Sequence, residues 1–345
     1  MRLRGLPRRR NRGTEGPVVL LYHRIAPAST DPQLLCVTPE HFAEHVEVIA
    51  ESHEPVRLQD LVAALREGEL PPRAVAITFD DGYADNLAAA KPLLERIGVP
   101  ATVFVASGWI GGDRPFWWDE LEVLLLRPGR LPPVLELEVG TEILRWELNG
   151  DAVYTPEAAA ARSGWTVLDR HDPGPRQRIY RELSDRLRRL DVSARERVLH
   201  YLQSAAERTE AVDGEPARAL TLDELRRLAG DDLVEIGAHT VTHPILSKLA
   251  PDMQRAEIIG SRQQLESALD RRIGSFAYPY GGADDFDHTT ALIVREAGFD
   301  HACANVSSRL ERGTDVYRLP RILVRDCGGA ELARLLADLE APRFV

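Results

Sequence analysis

The chain has 345 residues, which suits one large domain or two small ones with a packed core. Hydrophobic residues make up 44% and charged residues 28%, the balance of a soluble globular protein. The formal net charge is −11, yet six of the 43 basic residues are arginines in the first twelve positions, so the rest of the chain sets 37 basic residues against 54 acidic ones. A body this negative argues against phosphate-backbone binding, and no nucleic-acid partner is expected.

Residues 1–16 (MRLRGLPRRRNRGTEG) read as a basic disordered tail that could make weak contact with an anionic membrane surface. The tail lacks the apolar stretch of a secretory signal, and no run of about 18 apolar residues occurs, so no transmembrane segment and a cytoplasmic location are expected. Cys36, Cys303 and Cys327 are odd in number and scattered, without metal spacing or a disulfide framework. They read as reduced, mostly buried thiols.

From residue 17 to 345 the elements alternate. PVVLLYH (17–23) is an apolar run suited to a buried strand. Thr38 can cap a helix that Pro39 opens, and Leu58 to Arg66 reads as a second helix stopping at Gly68. AVAITF (74–79) is a strand ending in Asp80-Asp81-Gly82. Ala84 to Ile97 has helical spacing and ends at Gly98, before the strand PATVFVA (100–106). This order predicts parallel strands with helices packed outside.

The pattern breaks at about 113–220, which we read as an insertion. It holds Phe116, Trp117 and Trp118, a helix from Asp119 to Leu126, and a hairpin of VLELEV and EILRWEL. Two charged helices follow at about 175–190 and 193–208. Such an excursion either walls the substrate or is a structural elaboration. The three aromatic residues either stack on sugar rings or anchor the insertion. Alternation then resumes. Thr221 caps TLDELRRLAG, LVEIGAH (233–239) is a strand, and 251–270 is a long amphipathic helix. GSFAYPYGG (274–282) is a strand running into a tight turn, and Ala291 to Ala297 is helical. HACA (301–304) and VYRLPRILV (316–324) are strands, and a last helix runs from about 329 to 339.

Chemistry concentrates at two strand exits. In ITFDDGY (77–83), two aspartates emerge from an apolar strand into a glycine turn, where parallel α/β folds present ligand sites. Neighbouring residues on extended backbone point in different directions, so one carboxylate can bind a cation while the other is free as a base. Taken alone, Asp-Asp-Gly reads more readily as a turn with helix capping. In GAHTVTHP (237–244), His239 and His243 have a chelating spacing, and Pro244 favours a tight turn over a helix there. Two imidazoles and one carboxylate make a hydrolytic three-ligand set. Zinc is the first choice of divalent metal, with cobalt, nickel or manganese compatible. Asp284, Asp285, Asp287 and His288 read better as the cap of the next helix than as a second metal cluster.

TFDDGY, HTVTHP and FAYPYG, in this order, resemble the NodB-homology polysaccharide deacetylases, carbohydrate esterase family 4. YHRI (22–25) is similar to a branch with a histidine in its first strand. The resemblance spans about 17–325, interrupted by the insertion. It implies a distorted (β/α) barrel of about seven parallel strands and hydrolysis of N-acetyl groups on a carbohydrate. It further implies that Asp81, His239 and His243 bind the metal and that Asp80 is the general base. The backbone N–H of Tyr280 would hold the oxyanion. Two features depart from the family pattern: no histidine follows His301, and Ala277 stands where an arginine is usual. His23, leaving the first strand on the same rim, is the expected substitute as general acid. Arg321 is the expected substitute for tuning Asp80. The rival readings are a hydrolase of a non-sugar amide or formyl group at the same site, and an inactive carbohydrate-binding relative.

Overall fold

The computed structural model describes residues 16–111, 115–208 and 217–338. The basic tail, apart from Gly16, lies outside the described residues. Seven parallel strands form the main sheet: β1 (Val18–Tyr22), β2 (Ala74–Phe79), β3 (Ala101–Val105), β4 (Val234–Ala238), β5 (Ser275–Ala277), β6 (His301–Cys303) and β7 (Ile322–Leu323). Their spatial order is β6-β5-β4-β3-β2-β1-β7, with Glu54–Pro55 pairing beside β2. All residues of β1, β2 and β3 are buried. That is why they read as unbroken apolar runs: helices cover one side and the barrel core fills the other.

The register aligns the strand ends. Tyr22 pairs with Phe79, Phe79 with Val103, Val105 with Ala238, and Ala277 with Cys303. His23, Asp80 and His239 each follow a strand directly, so all three emerge on one rim.

The helices around the sheet carry the stop signals their sequences suggest. α1 (Pro39–Ser52) is capped by the Thr38 hydroxyl, and α2 (Leu58–Glu67) ends on Gly68 in the left-handed conformation. Two elements differ from the sequence expectation. The helix read over Ala84 to Ile97 is a wide π turn at Asn86–Ala90 followed by α3 (Lys91–Ile97). Pro92 has no N–H to offer the preceding turn, and the helix widens there instead of breaking. The strand read over 316–324 is bent at Pro320. Before it, Leu319 N–H donates to Ala302 O and Ala304 N–H to Leu319 O; after it, β7 pairs with β1. The same segment thus reaches both edges of the sheet, and Arg321 sits at the bend between them.

The segment 113–220 builds a second core of its own. It contains α4 (Trp117–Leu126), the hairpin Val134–Val139/Glu142–Glu147, α5 (Pro156–Ala161), α6 (Pro175–Leu187) and α7 (Val192–Ala205). Leu121, Leu125, Leu183, Leu187, Leu199 and Leu202 pack together there, continuous with Phe116, Trp118 and with Tyr83 of the barrel. Phe116 is fully buried and stacks on Trp118 at 4.9 Å, so this aromatic pair anchors the segment.

Gly237 in β4 lies against the Phe104 ring. A Cβ there would enter the ring and stand 2.8 Å from the Ser275 hydroxyl. Gly237→Ala should therefore lower the unfolding free energy by about 1–3 kcal/mol, as overpacking does. Urea denaturation measures it, and an unchanged midpoint would show that the sheet yields at this point.

Candidate active site

Two adjacent carboxylates stand at the C-terminal end of β2, and both are buried: Asp80 is 4% and Asp81 2% exposed. They do point to different partners. Asp81 Oδ1 lies 3.3 Å from His243 Nε2 and 3.7 Å from His239 Nε2. One ligand atom from each of these three residues lies within 4.8 Å of the other two. Among the described residues no hydrogen-bond donor reaches Asp81 Oδ1. Burial, and then the charge of Asp80, push the Asp81 carboxyl well above the usual carboxylate range. A buried carboxylate without donors is costly unless a cation compensates it. His239 is arranged to help hold such a cation: its Nδ1 is 2.8 Å from Ala277 O, which assigns the proton to Nδ1 and leaves Nε2 as a lone-pair donor facing Asp81. Burial lowers the pKa of both histidines, so both are neutral and able to ligate. The donor set therefore fits one divalent metal ion.

Asp80 has a different partner. Arg321 Nη1 and Nη2 donate to its two carboxylate oxygens, each at 2.7 Å, and Arg321 Nε donates to Ala304 O at 3.0 Å. Burial alone would raise the Asp80 pKa, but the charge of Arg321 and its hydrogen bonds outweigh it and hold the carboxyl below its usual range. Asp80 stays ionised and fixed in orientation. The arginine arrives from the bend just before β7, and not from β5, where Ala277 stands.

The loop from β4 is a tight turn, as Pro244 requires. Thr240 and His243 have φ of 64° and 59°. Four of the seven described non-glycine residues with positive φ are Asp81, Thr240, His243 and Tyr280, a concentration of strained backbone around one centre. Glu257, from the helix Pro251–Leu269, braces this turn: its carboxylate accepts from the N–H groups of Val241 and Thr242 and from the Thr242 hydroxyl at 2.7 to 2.9 Å.

His23, Asp80, Asp81, His239, His243 and Tyr280 all line one cleft of about 440 Å³. His23 is drawn to a pKa of about 4, chiefly by burial and against the pull of Asp80. It is therefore neutral near pH 7. Tyr280 sits at φ 60° in the turn after β5, with its ring edge-on to His243 at 4.7 Å. The opposite wall comes from the 113–220 segment, including Trp117, Trp118, Ser184, Asp185 and Arg188. Trp118 lies 5.0 Å from the His243 ring. Of the acidic group after Tyr280, Asp287 caps the helix His288–Glu296 through Thr290. Asp285 is instead part of the cleft, accepting from Gly282 N–H at 3.0 Å. Sequence reading missed Glu257 and Arg188 and took Asp285 for part of the next helix's cap. All three are charged residues on or beside amphipathic helices, where a solvated face is the ordinary reading.

Seven parallel strands with this carboxylate–imidazole cluster at one rim define the class: an α/β barrel protein with a metal-type hydrolytic site. The polysaccharide deacetylase family model matches residues 67–127 and 167–302, more than half of the chain, and the protein belongs to that family. The match resumes inside the segment read as the insertion. A putative polysaccharide deacetylase of Bacillus subtilis, YxkH, is 31% identical over 103 residues, covering 28% of this chain and 36% of that protein. The poly-beta-1,6-N-acetyl-D-glucosamine N-deacetylase of Escherichia coli K12 is 28% identical over 97 residues, covering 28% of this chain and 14% of that protein. The matched region thus spans little more than a third of the first relative and a seventh of the second. Among solved structures, the Streptococcus pyogenes deacetylase PplD in complex with acetate aligns over 95% of this chain and all of its own, with a TM-score of 0.57 and 17% identity. IcaB from Ammonifex degensii aligns over 94% and 98%, with a TM-score of 0.57 and 18% identity. At such identities these two show the fold.

Removing Arg321 would leave Asp80 buried and uncompensated. Arg321→Met should cost about 3–5 kcal/mol of stability at pH 7, and adding Asp80→Asn should recover part of it. Chemical denaturation of the two single variants and the double variant measures the coupling. Additive losses would show that the pair is not energetically linked.

Proposed function

We propose that the protein is a metal-dependent hydrolase that removes N-acetyl groups from a carbohydrate: a polysaccharide, oligosaccharide or glycolipid. The observation that carries this reading is the division of labour between Asp80 and Asp81. One carboxylate faces two neutral imidazoles, and its neighbour is clamped, ionised, beside them. A divalent ion held by Asp81, His239 and His243, zinc by preference and cobalt, nickel or manganese by compatibility of donors, would polarise the acetyl carbonyl and acidify a water molecule.

The side chains supply the rest. Asp80, held by Arg321, takes a proton from the attacking water. The Tyr280 N–H donates to the carbonyl oxygen as it gains negative charge, and one such fixed donor is worth roughly 3 kcal/mol. The C–N bond then breaks, and the leaving nitrogen needs a proton. His23 is the group we assign to deliver it. Burial keeps His23 neutral near pH 7, so it takes up a proton during the reaction before it delivers one. The products are acetate and a free amine on the sugar. Family membership supports the carbohydrate substrate over non-sugar amides. The full set of base and three donors speaks against an inactive relative.

The metal-loaded protein should release acetate from an N-acetylhexosamine oligosaccharide, and chelation should abolish the release. Asp80→Asn should lower kcat by about 10²–10⁴-fold, and His23→Ala by about 10²-fold with little change in KM. Assaying acetate, formate and ammonia over a substrate panel separates the readings. If no N-acetylhexosamine yields acetate, the carbohydrate assignment fails.

A further inference from the structure

The turn that carries Tyr280 is strained, and its side chain is held largely from the 113–220 segment. Tyr280 and Gly281 both have left-handed backbone, with φ of 60° and 69°. Gly281 has no alternative, because a Cβ there would stand 2.7 Å from Asn305 N. Tyr280 does carry a bulky side chain, and such a residue keeps this conformation only where its surroundings over-determine it. The backbone on its C-terminal side is tied twice: Asn305 N–H donates to Gly281 O at 2.8 Å, and Gly282 N–H donates to Asp285 Oδ2 at 3.0 Å.

The ring is tied by Arg188. Its guanidinium carbon lies 5.1 Å from the Tyr280 ring centroid, a cation–π contact. Its Nη2 lies 3.3 Å from Asp285 Oδ1. One guanidinium therefore touches both the ring of the strained residue and the carboxylate that fixes the amide two positions on. Arg188 directly follows α6, whose Leu183 and Leu187 are in the segment's own core, so the position of the guanidinium is set by a packed helix. Arg195, on α7, adds a second brace nearby. It is 2% exposed, stands 5.5 Å from the Trp117 ring, and reaches the Thr242 carbonyl at 3.5 Å.

We infer that Arg188 is a positioning residue for the hydrolysis, bridging the Tyr280 ring and Asp285 so that the Tyr280 N–H is aimed at the oxyanion. On this inference the 113–220 segment completes the catalytic rim as well as walling the cleft. The inference rests on the reading of Tyr280 given above.

The test uses the full chain loaded with zinc, comparing Arg188→Met, Arg188→Lys and wild type. Arg188→Met keeps the length of the side chain and removes its charge; it should lower kcat about 10-fold while KM changes less than about twofold. Arg188→Lys retains a cation over the ring and should recover most of that loss. Hydrogen exchange followed by mass spectrometry supplies a readout independent of turnover. Peptides covering 278–286 should exchange faster in Arg188→Met, and those covering 233–243 should not change. Should Arg188→Met fail to fold, Asp285→Asn breaks the same bridge from its other end and should give the same pattern. Unchanged exchange at 278–286 overturns the inference, as does a loss confined to KM, which would make Arg188 a substrate contact. If wild type itself releases no acetate, the functional reading falls, and the exchange data still decide whether Arg188 holds the turn.

Discussion

Two carboxylates that follow one another in the chain and are both buried cannot both be left with bare charge. Coulomb repulsion and desolvation together would protonate at least one of them. The rest of the site follows from how that problem is solved. Asp80 receives a guanidinium with matched geometry, two hydrogen bonds of 2.7 Å each. Asp81 receives no such donor and faces two neutral imidazoles instead. One carboxylate is thereby kept ionised and immobile, which suits a base. The other is kept in need of a cation. A single strand exit supplies both because successive residues point in different directions as the chain leaves the sheet.

Parallel topology makes the convergence possible. The Asp pair and the His pair are separated by more than 150 positions, yet both follow strands whose ends lie in register across β2, β3 and β4. The Tyr280 turn follows β5, the next strand over. Arg321 completes the ring from the far side, because the bend at Pro320 lets one segment pair with β6 before it and β1 after it. A straight strand over 316–324 would belong to one edge alone.

The strands, the carboxylate pair and the imidazole pair were legible in the sequence because each is local. Apolar runs end in turn residues, and the chemical groups sit at the ends. The bend at Pro320 had a local signal as well, the proline itself, but which two partners it joined depends on how the barrel curves. The π turn before α3 was likewise hidden behind helical spacing, although Pro92 was its cause. Asp285 stood out only as one of a run of acidic residues, and Glu257 and Arg188 had no local signal at all. Their charges face inward only because loops that are distant in sequence fold over them, and a periodic helix looks the same whether its charged residues meet water or a neighbouring turn.

The distribution of strain ties the two cores together. Asp81, Thr240, His243 and Tyr280 hold the left-handed conformation that L-residues avoid, and each belongs to a turn at the rim. Backbone of this kind persists where side-chain packing leaves it no relaxed alternative. Around His243 and Tyr280 that packing comes in large part from the 113–220 segment: Trp118 lies on the His243 ring, and Arg188 lies over the Tyr280 ring, which His243 also meets edge-on. The barrel alone brings the chemical groups to one rim. Holding them at angles that extended or helical backbone would not give requires a wall on the other side. A segment with its own packed leucine core can bear against those turns without yielding, which a mobile loop of the same length could not do.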